Sequence, residues 1–358
     1  MKKWEAPYTF PNGLKVKNRL AFAPISTMSS NGIGQLSIEE IEFYRSRTQK
    51  VGLVILGSAN VSVDGKAYQN NVGIASDAVI SNLRIYNRAV KSVGAKSIIQ
   101  LYHGGRAIGF QPTRNEVGVV SKEEKDGSNY HEWSEKEILS TIEEFGKAIR
   151  RAIRAGFDGV EIHAGNPFLL QEFLSPLTNK RLDKWGGSEQ NRFLFLEVIV
   201  RLACQIRKEA SSPFAIGVRL AVEESDPNGI TFEETSRIVG RLSQLKVDYV
   251  HINQDDFIDN TKQISQLQEI NDSLPIINNG GITSELKLEE ALNVTPLASI
   301  ARPLILNPAF PTESKSYMTV DDMSKKELVI PNGLWKSIND SPEWYLHKKA
   351  EKKQSKLV

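Results

Sequence analysis

Eight short apolar runs rich in β-branched residues recur along the chain, at residues 19–24, 52–57, 97–102, 159–164, 214–220, 249–254, 275–280 and 297–302. Their length and near-continuous apolarity are those of parallel strands covered on both faces. Amphipathic stretches lie between them, at 37–49, 77–93, 134–155, 188–209, 232–245 and 284–292. Two of these open on a capping box, Ser37 with Glu40 and Ser134 with Glu137. Eight strands, each followed by a helix or a long loop, are the number that closes a single (β/α)8 TIM barrel of the α/β class. An open, doubly wound sheet is the alternative, but no G-x-G-x-x-G follows any strand. The pattern assigns residues 1–345 to one barrel domain and 346–358 to a basic tail. The segment after the third strand, from His103 to about Trp133, lacks strong periodicity and carries Gly104, Gly105, Gly109 and Pro112. It is expected to lie over the barrel mouth as a substrate loop. Beyond the eighth strand, Trp335, Trp344 and Tyr345 form an aromatic set that can pack on the barrel wall or on a second subunit, which makes a homodimer an open expectation.

Composition narrows the class. Hydrophobic residues make up 40% and charged residues 25%, ordinary values for a globular protein. No apolar run approaches the ~20 residues of a membrane span, and no apolar signal segment follows Met1-Lys2-Lys3-Trp4-Glu5. The single cysteine, Cys204, excludes an internal disulfide framework and any cluster held by several thiolates. It falls within the apolar pattern of a helix, as a structural thiol does. Together these features lead to the expectation of a cytoplasmic protein. The net charge is +2, and residues 348–358 carry five lysines and one glutamate, so residues 1–347 sum to about −2. A near-neutral body with a solvated basic end gives no nucleic-acid partner and no membrane surface.

Polar residues at the C-terminal ends of barrel strands face the active site. Here they are Ser26, Ser58, Gln100, His103, His163, Asn166, Arg219, Asn278 and Asn279, with Gly280, Gly281, Ala301 and Arg302 after the last two strands. There is no carboxylate pair, no G-x-S-x-G, no H-E-x-x-H and no metal-ligand cluster. Hydrogen-bond donors dominate, which suits an anionic or carbonyl-rich ligand. Gly280-Gly281 with Arg302 fits a barrel phosphate site, because backbone N–H groups approach closely and the guanidinium binds in bidentate fashion. Gln100 and Arg219 can bond a flavin pyrimidine ring, and an arginine beside its N1–C2 edge stabilises the anionic reduced form.

The residues then carry a resemblance. Asn18-Arg19-Leu20-Ala21-Phe22-Ala23-Pro24, Gln100-Leu101-Tyr102-His103-Gly104-Gly105-Arg106, Gly156-Phe157-Asp158-Gly159-Val160-Glu161-Ile162-His163, Gln171-Glu172-Phe173-Leu174-Ser175-Pro176 and the run from Asn179 to Ser188 with Asn191-Arg192 resemble the old yellow enzyme family of FMN-dependent oxidoreductases. The likeness extends over about residues 5–345 in the expected strand order. It implies FMN bound at the strand C-termini, reduced by NADH or NADPH, and a small-molecule electron acceptor: an α,β-unsaturated carbonyl, a quinone or a nitro compound. By the same resemblance Ala23, Pro24, Ile25 and Ser26 line the flavin, Ser58 contacts its ring, Gln100 bonds the pyrimidine and Arg219 lies near N1. Gly280, Gly281, Ala301 and Arg302 hold the phosphate. His163 and Asn166 match the pair that bonds the acceptor's carbonyl oxygen, polarising a conjugated C=C so that its β-carbon takes hydride from flavin N5. His103 and Phe168 fall in the substrate pocket.

The chain departs from the pattern at three places. The family commonly has a proton-donating tyrosine where Phe168 stands, and phenylalanine has no proton to give. A general acid of this kind contributes a factor of roughly 10²–10⁴, so alkene reduction needs another source, water or Tyr102. Pro167 and Ala301 stand where the family tends to have glycine. Quinones, nitro groups and free flavin need no positioned carbon acid. A second reading is an FMN-binding protein with a specialised ligand or partner and little general turnover. A related barrel that reduces RNA uridines expects a basic face and a catalytic-loop cysteine, which this chain lacks. A dienoyl-CoA reductase needs an iron–sulfur cluster that one cysteine cannot hold.

Overall fold

The computed structural model describes residues 2–107, 117–118, 131–166, 168–312, 320–321 and 323–346. Eight parallel strands close a barrel: β1 (Leu20–Phe22), β2 (Leu53–Asn60), β3 (Lys96–Tyr102), β4 (Gly159–His163), β5 (Ala215–Ala221), β6 (Tyr249–Asn253), β7 (Ile276–Asn279) and β8 (Leu297–Ile300). They pair in sequence order, and β8 returns to β1. A helix follows each: α1 (Ile38–Arg47), α2 (Ile80–Ser92), α3 (Glu135–Ala155), α4 (Glu189–Ile206), α5 (Phe232–Gln244), α6 (Thr261–Ile270), α7 (Glu285–Val294) and the short α8 (Arg302–Leu306). Both capping boxes form as the sequence predicts: Ser37 and Ser134 accept from the backbone N–H groups of Glu40 and Glu137, and the glutamates reach back. The sequence pattern does not single out α6. Its buried face consists of Ile264 and Leu267 alone, too few positions for a 3.6-residue period to stand out.

Alternation inside the strands builds the interior in layers. At the N-terminal end, Leu53, Ile55, Ile98, Ala215, Ile277 and Leu297 pack into one apolar cluster with Phe10, Leu14 and Val16. Those three come from a hairpin at the chain start, Tyr8–Thr9 against Lys15–Val16, that plugs the barrel floor. Tyr249 lies across the interior directly above. A Cβ on Gly217 would fall 2.0 Å from its ring, so only glycine leaves room for that ring. Above Tyr249 the lining turns polar.

At the mouth, the C-terminal segment folds back. Leu334, Trp344 and Tyr345 line the cavity there, and Tyr345 is buried. Tyr345 therefore packs on the barrel, while Trp344 stays 55% exposed. The substrate-loop assignment falls mostly on residues 108–116 and 119–130, and the basic tail on 347–358, all outside the described residues, as is Pro167.

Candidate active site

Strand register sets the mouth. His163 on β4 pairs with Arg219 on β5, and Arg219 pairs with His251 on β6. His163 is 3% exposed, yet its Nδ1 has no hydrogen-bond partner among the described residues. Burial, reinforced by the Arg219 charge, pushes its pKa from 6.5 down to about 3. The imidazole is neutral, with one donor nitrogen and one acceptor. Asn166, three residues on, is exposed and holds a left-handed φ of 63°. Its Oδ1 accepts from Asn253 Nδ2 at 2.7 Å.

Arg219 is 7% exposed. Its Nη2 donates to Asn253 Oδ1 at 2.6 Å and to Asn279 Oδ1 at 3.3 Å, while Nε has no partner among the described residues. Below it, Glu161 is fully buried. Its Oε1 accepts from Gln100 Nε2 at 2.7 Å, and its Oε2 from Tyr249 Oη at 3.0 Å and His251 Nδ1 at 3.0 Å. Burial opposes ionisation of Glu161, but His251, and after it Arg219 and Gln100, hold its pKa below the usual carboxylate value. Burial also lowers His251, so the pair is carboxylate and neutral imidazole. The His251 Nδ1–H donates to Glu161, and its Nε2 accepts from Ser299 Oγ at 2.8 Å.

A cavity of about 490 Å³ brings together Ala23, Pro24, Ile25, Ser26, Asn166, Arg219, Gly280, Gly281, Ala301 and Arg302. Ser58, Gln100, His163, His103 and Phe168 are not in its lining. Ser58 is 7% exposed, its carbonyl bonded by Asn71 Nδ2 at 2.6 Å. Gln100 lies beneath, with its amide N–H given to Glu161. Phe168 is buried in a small cluster with Ala67 and Tyr102; its ring stands 5.2 Å from that of His163 and 5.0 Å from that of Tyr102. His103 is wedged between Gly65 and Trp133, with ring centroids 5.2 Å apart, and its Nδ1 accepts from Gly105 N–H. Burial pushes its pKa to about 4, so this ring is a neutral part of the wall and does not reach the cavity. Tyr102 Oη is likewise enclosed, accepting from Ala67 N–H at 3.0 Å. Two phenols line the cavity, Tyr345 and the half-buried Tyr68, which stands edge-on to Phe168 at 6.4 Å. Neither Tyr68 nor Asn253 stands out in the sequence. Glu161 has a legible signal: two positions before His163 in an apolar strand, it must share the inward face.

The family model described as the NADH:flavin oxidoreductase / NADH oxidase family matches residues 6–320. A probable NADH-dependent flavin oxidoreductase of Bacillus subtilis (strain 168), YqiG, is 32% identical over 364 aligned positions, covering 96% of this chain and 97% of that one. The chain belongs to this family. It is an FMN oxidoreductase enzyme, and NADH or NADPH is the reductant named for its relatives. The NADH:fumarate oxidoreductase of Klebsiella pneumoniae (strain 342) is 31% identical across 92% of this chain, which spans only 38% of that protein. Among solved structures, morphinone reductase shares the fold at a TM-score of 0.76, with 24% identity over 87% of this chain and 88% of that one.

The residues of this flavin oxidoreductase fit FMN. Gly280 and Gly281 hold φ of 117° and 61°. A Cβ on Gly280 would meet the Gln254 carbonyl oxygen at 2.3 Å, and one on Gly281 the Asp256 carboxylate at 2.4 Å. The turn is therefore open only to glycine and presents bare backbone to the cavity. Ala301 has φ of −121°, so its methyl carries no left-handed strain. Arg302 reaches the cavity with its guanidinium 4.7 Å from the Trp344 ring and Nη1 donating to the Trp344 carbonyl at 3.1 Å. The unpaired Arg219 Nε and the bare backbone of the Gly280-Gly281 turn are the two polar features of this cavity that a flavin ring edge and a phosphate would use.

Proposed function

We propose that this oxidoreductase passes reducing equivalents from NADH or NADPH to a small electrophilic acceptor bearing a carbonyl, quinone or nitro oxygen, and that it reduces the conjugated double bond of an enone slowly. FMN, when bound, supplies the two-electron carrier between nicotinamide and acceptor, which use the same pocket in turn. His163 and Asn166 hold the acceptor oxygen with two donors, and a second hydrogen bond to a developing negative oxygen is worth roughly 2.7–4 kcal/mol in comparable sites. Arg219 keeps a positive charge at the pyrimidine edge, Gly280, Gly281 and Arg302 take the phosphate, and Ala23, Pro24, Ile25 and Ser26 flank the ring. Ser58 and Gln100 support the ring from the β2 and β3 ends. Fumarate and acrylate, named for two of the relatives, are conjugated acids whose reduction also needs a proton at the α-carbon, so in this reading they fall among the slow acceptors. Each of those proteins is matched over little more than a third of its length.

The observation that carries the slow-alkene reading is Phe168. Its ring stands 5.2 Å from that of His163 and packs with Ala67, Tyr102, Tyr68 and Ala107, so at the family's proton-donor position this chain presents a ring with no proton to give. Protonation of the α-carbon then falls to water or to Tyr68, whose phenol burial keeps protonated. The test is a rapid-mixing experiment on the anaerobically reduced holoprotein, followed by flavin absorbance, with benzoquinone and 2-cyclohexenone side by side. Quinone is expected to reoxidise the protein at least about a hundredfold faster. Equal rates would overturn the assignment of slow alkene reduction. A holoprotein that neither nicotinamide reduces would instead be a flavin-binding protein of another kind.

A further inference from the structure

Asn253 ends β6 between two groups that the proposed function already uses. Its Oδ1 lies 2.6 Å from Arg219 Nη2, and its Nδ2 lies 2.7 Å from Asn166 Oδ1. A guanidinium has five N–H donors and no acceptor, so the atom of Asn253 that faces Arg219 must be the oxygen. The amide nitrogen of Asn253 therefore faces Asn166, and the atom of Asn166 that receives it must in turn be an oxygen. That leaves the Asn166 NH2 group as the free end of an exposed side chain at the cavity.

We propose that Asn253 is a positioning residue for the acceptor oxygen: held by Arg219, it turns the Asn166 amide so that its nitrogen, not its oxygen, faces the bound carbonyl. The inference rests on the reading of His163 and Asn166 as the donor pair. An unsupported asparagine can rotate its amide by half a turn, and with the oxygen outward it would repel a carbonyl instead of binding it. The asymmetry that decides between the two states is set one residue further back, by a group that can only donate.

The second branch from Arg219 has the same polarity. Asn279 Oδ1 accepts from the guanidinium, and Asn279 Nδ2 donates to Ser299 Oγ at 3.0 Å. Ser299 Oγ lies 2.8 Å from His251 Nε2, and His251 Nδ1 lies 3.0 Å from Glu161. Every bond in this branch can point from the donor-only guanidinium toward the carboxylate without conflict, and such chains strengthen by roughly 10–30% per bond. The Glu161 branch fixes Arg219, and the Asn253 branch hands the resulting orientation to the substrate.

Substitution at Asn253 separates positioning from direct contact, since Asn253 also lines the cavity. Asn253→Asp keeps the acceptor for Arg219 but has nothing to donate, so Asn166 would turn its NH2 inward to the new carboxylate. The experiment titrates the FMN holoprotein with tetrahydroNAD, a nicotinamide that cannot give hydride, and reads the flavin absorbance change. The proteins are the wild type, N253D, N166A and N166A/N253D, with N253A as a neutral second variant. N253D and N253A are each expected to weaken binding about tenfold. Added to N166A, the Asn253 changes are expected to cost less than about twofold more, because their route to the ligand is already cut. An equal loss in both backgrounds would place Asn253 in direct contact with flavin or ligand and overturn the proposal. Wild-type affinity in N253D would overturn it as well. A wild-type holoprotein that does not respond to the analogue would overturn the donor-pair reading itself.

Discussion

The floor and the mouth of the barrel are built from the same alternating strand positions and solve opposite problems. At the floor, inward residues are hydrocarbon, sealed by Phe10, Leu14 and Val16 from the hairpin. Nothing there needs a partner. At the mouth, inward residues are Arg219, His163, Asn253 and Asn279, and each polar atom must be matched or left for a ligand. Tyr249 divides the two: its ring belongs to the floor cluster, and its hydroxyl bonds Glu161. The floor can be changed at a cost in stability alone, whereas the mouth combines stability with orientation. The cost of an error therefore depends on which side of Tyr249 it falls.

The largest effect is expected where the two regions meet. Glu161→Ala strips an ionised acceptor from Gln100, Tyr249 and His251 at once, and removing one side of a buried charged network costs about 3–5 kcal/mol. Chemical denaturation should show that loss together with weakened FMN binding. Phe10→Ala should cost about 3–5 kcal/mol by opening a cavity in the floor, but the folded fraction should keep wild-type FMN affinity. If it does not, floor and mouth are not independent. Acid should act on the mouth and its wall and leave the floor untouched. His163 and His103 have folded pKa values of about 3 and about 4, so the unfolded state binds protons that the folded state refuses. Stability from these groups is complete above pH 6.5, is lost as pH falls from there toward 4, and levels off below about 3. His103→Phe should flatten part of that fall in a denaturation series across pH. The smallest effect is expected outside both regions: Ser134→Ala removes one helix cap and should cost about 1 kcal/mol, with no change in flavin spectrum or ligand affinity.

Much of this division is visible in the sequence. The eight strands and their order follow from short apolar runs, because parallel strands buried on both faces leave that signature. Strand ends such as His163, Arg219 and Gly280-Gly281 follow because polar residues there break an apolar run. The hairpin was not visible, since Tyr8–Thr9 and Lys15–Val16 are two residues each and no periodicity can be read from two residues. His103 follows β3 and so reads as a pocket residue; the structure buries its ring against Trp133, with Nδ1 accepting from the Gly105 N–H. Asn253 and Tyr68 were hidden for another reason. Their roles come from side chains of distant strands and loops meeting in space, which a one-dimensional pattern does not encode.

The division also leaves one position at the mouth without polar function, Phe168, and the most direct test of the account is to give it one. Phe168→Tyr adds a single phenol beside His163, and the measurement is the rate at which 2-cyclohexenone reoxidises the anaerobically reduced protein, with benzoquinone as reference. The enone rate is expected to rise by roughly tenfold to a hundredfold or more while the quinone rate stays within about twofold. An enone rate already fast in the wild type and unmoved by the added phenol would contradict it, and would show that the proton reaches the substrate by a route on which Phe168 has no bearing.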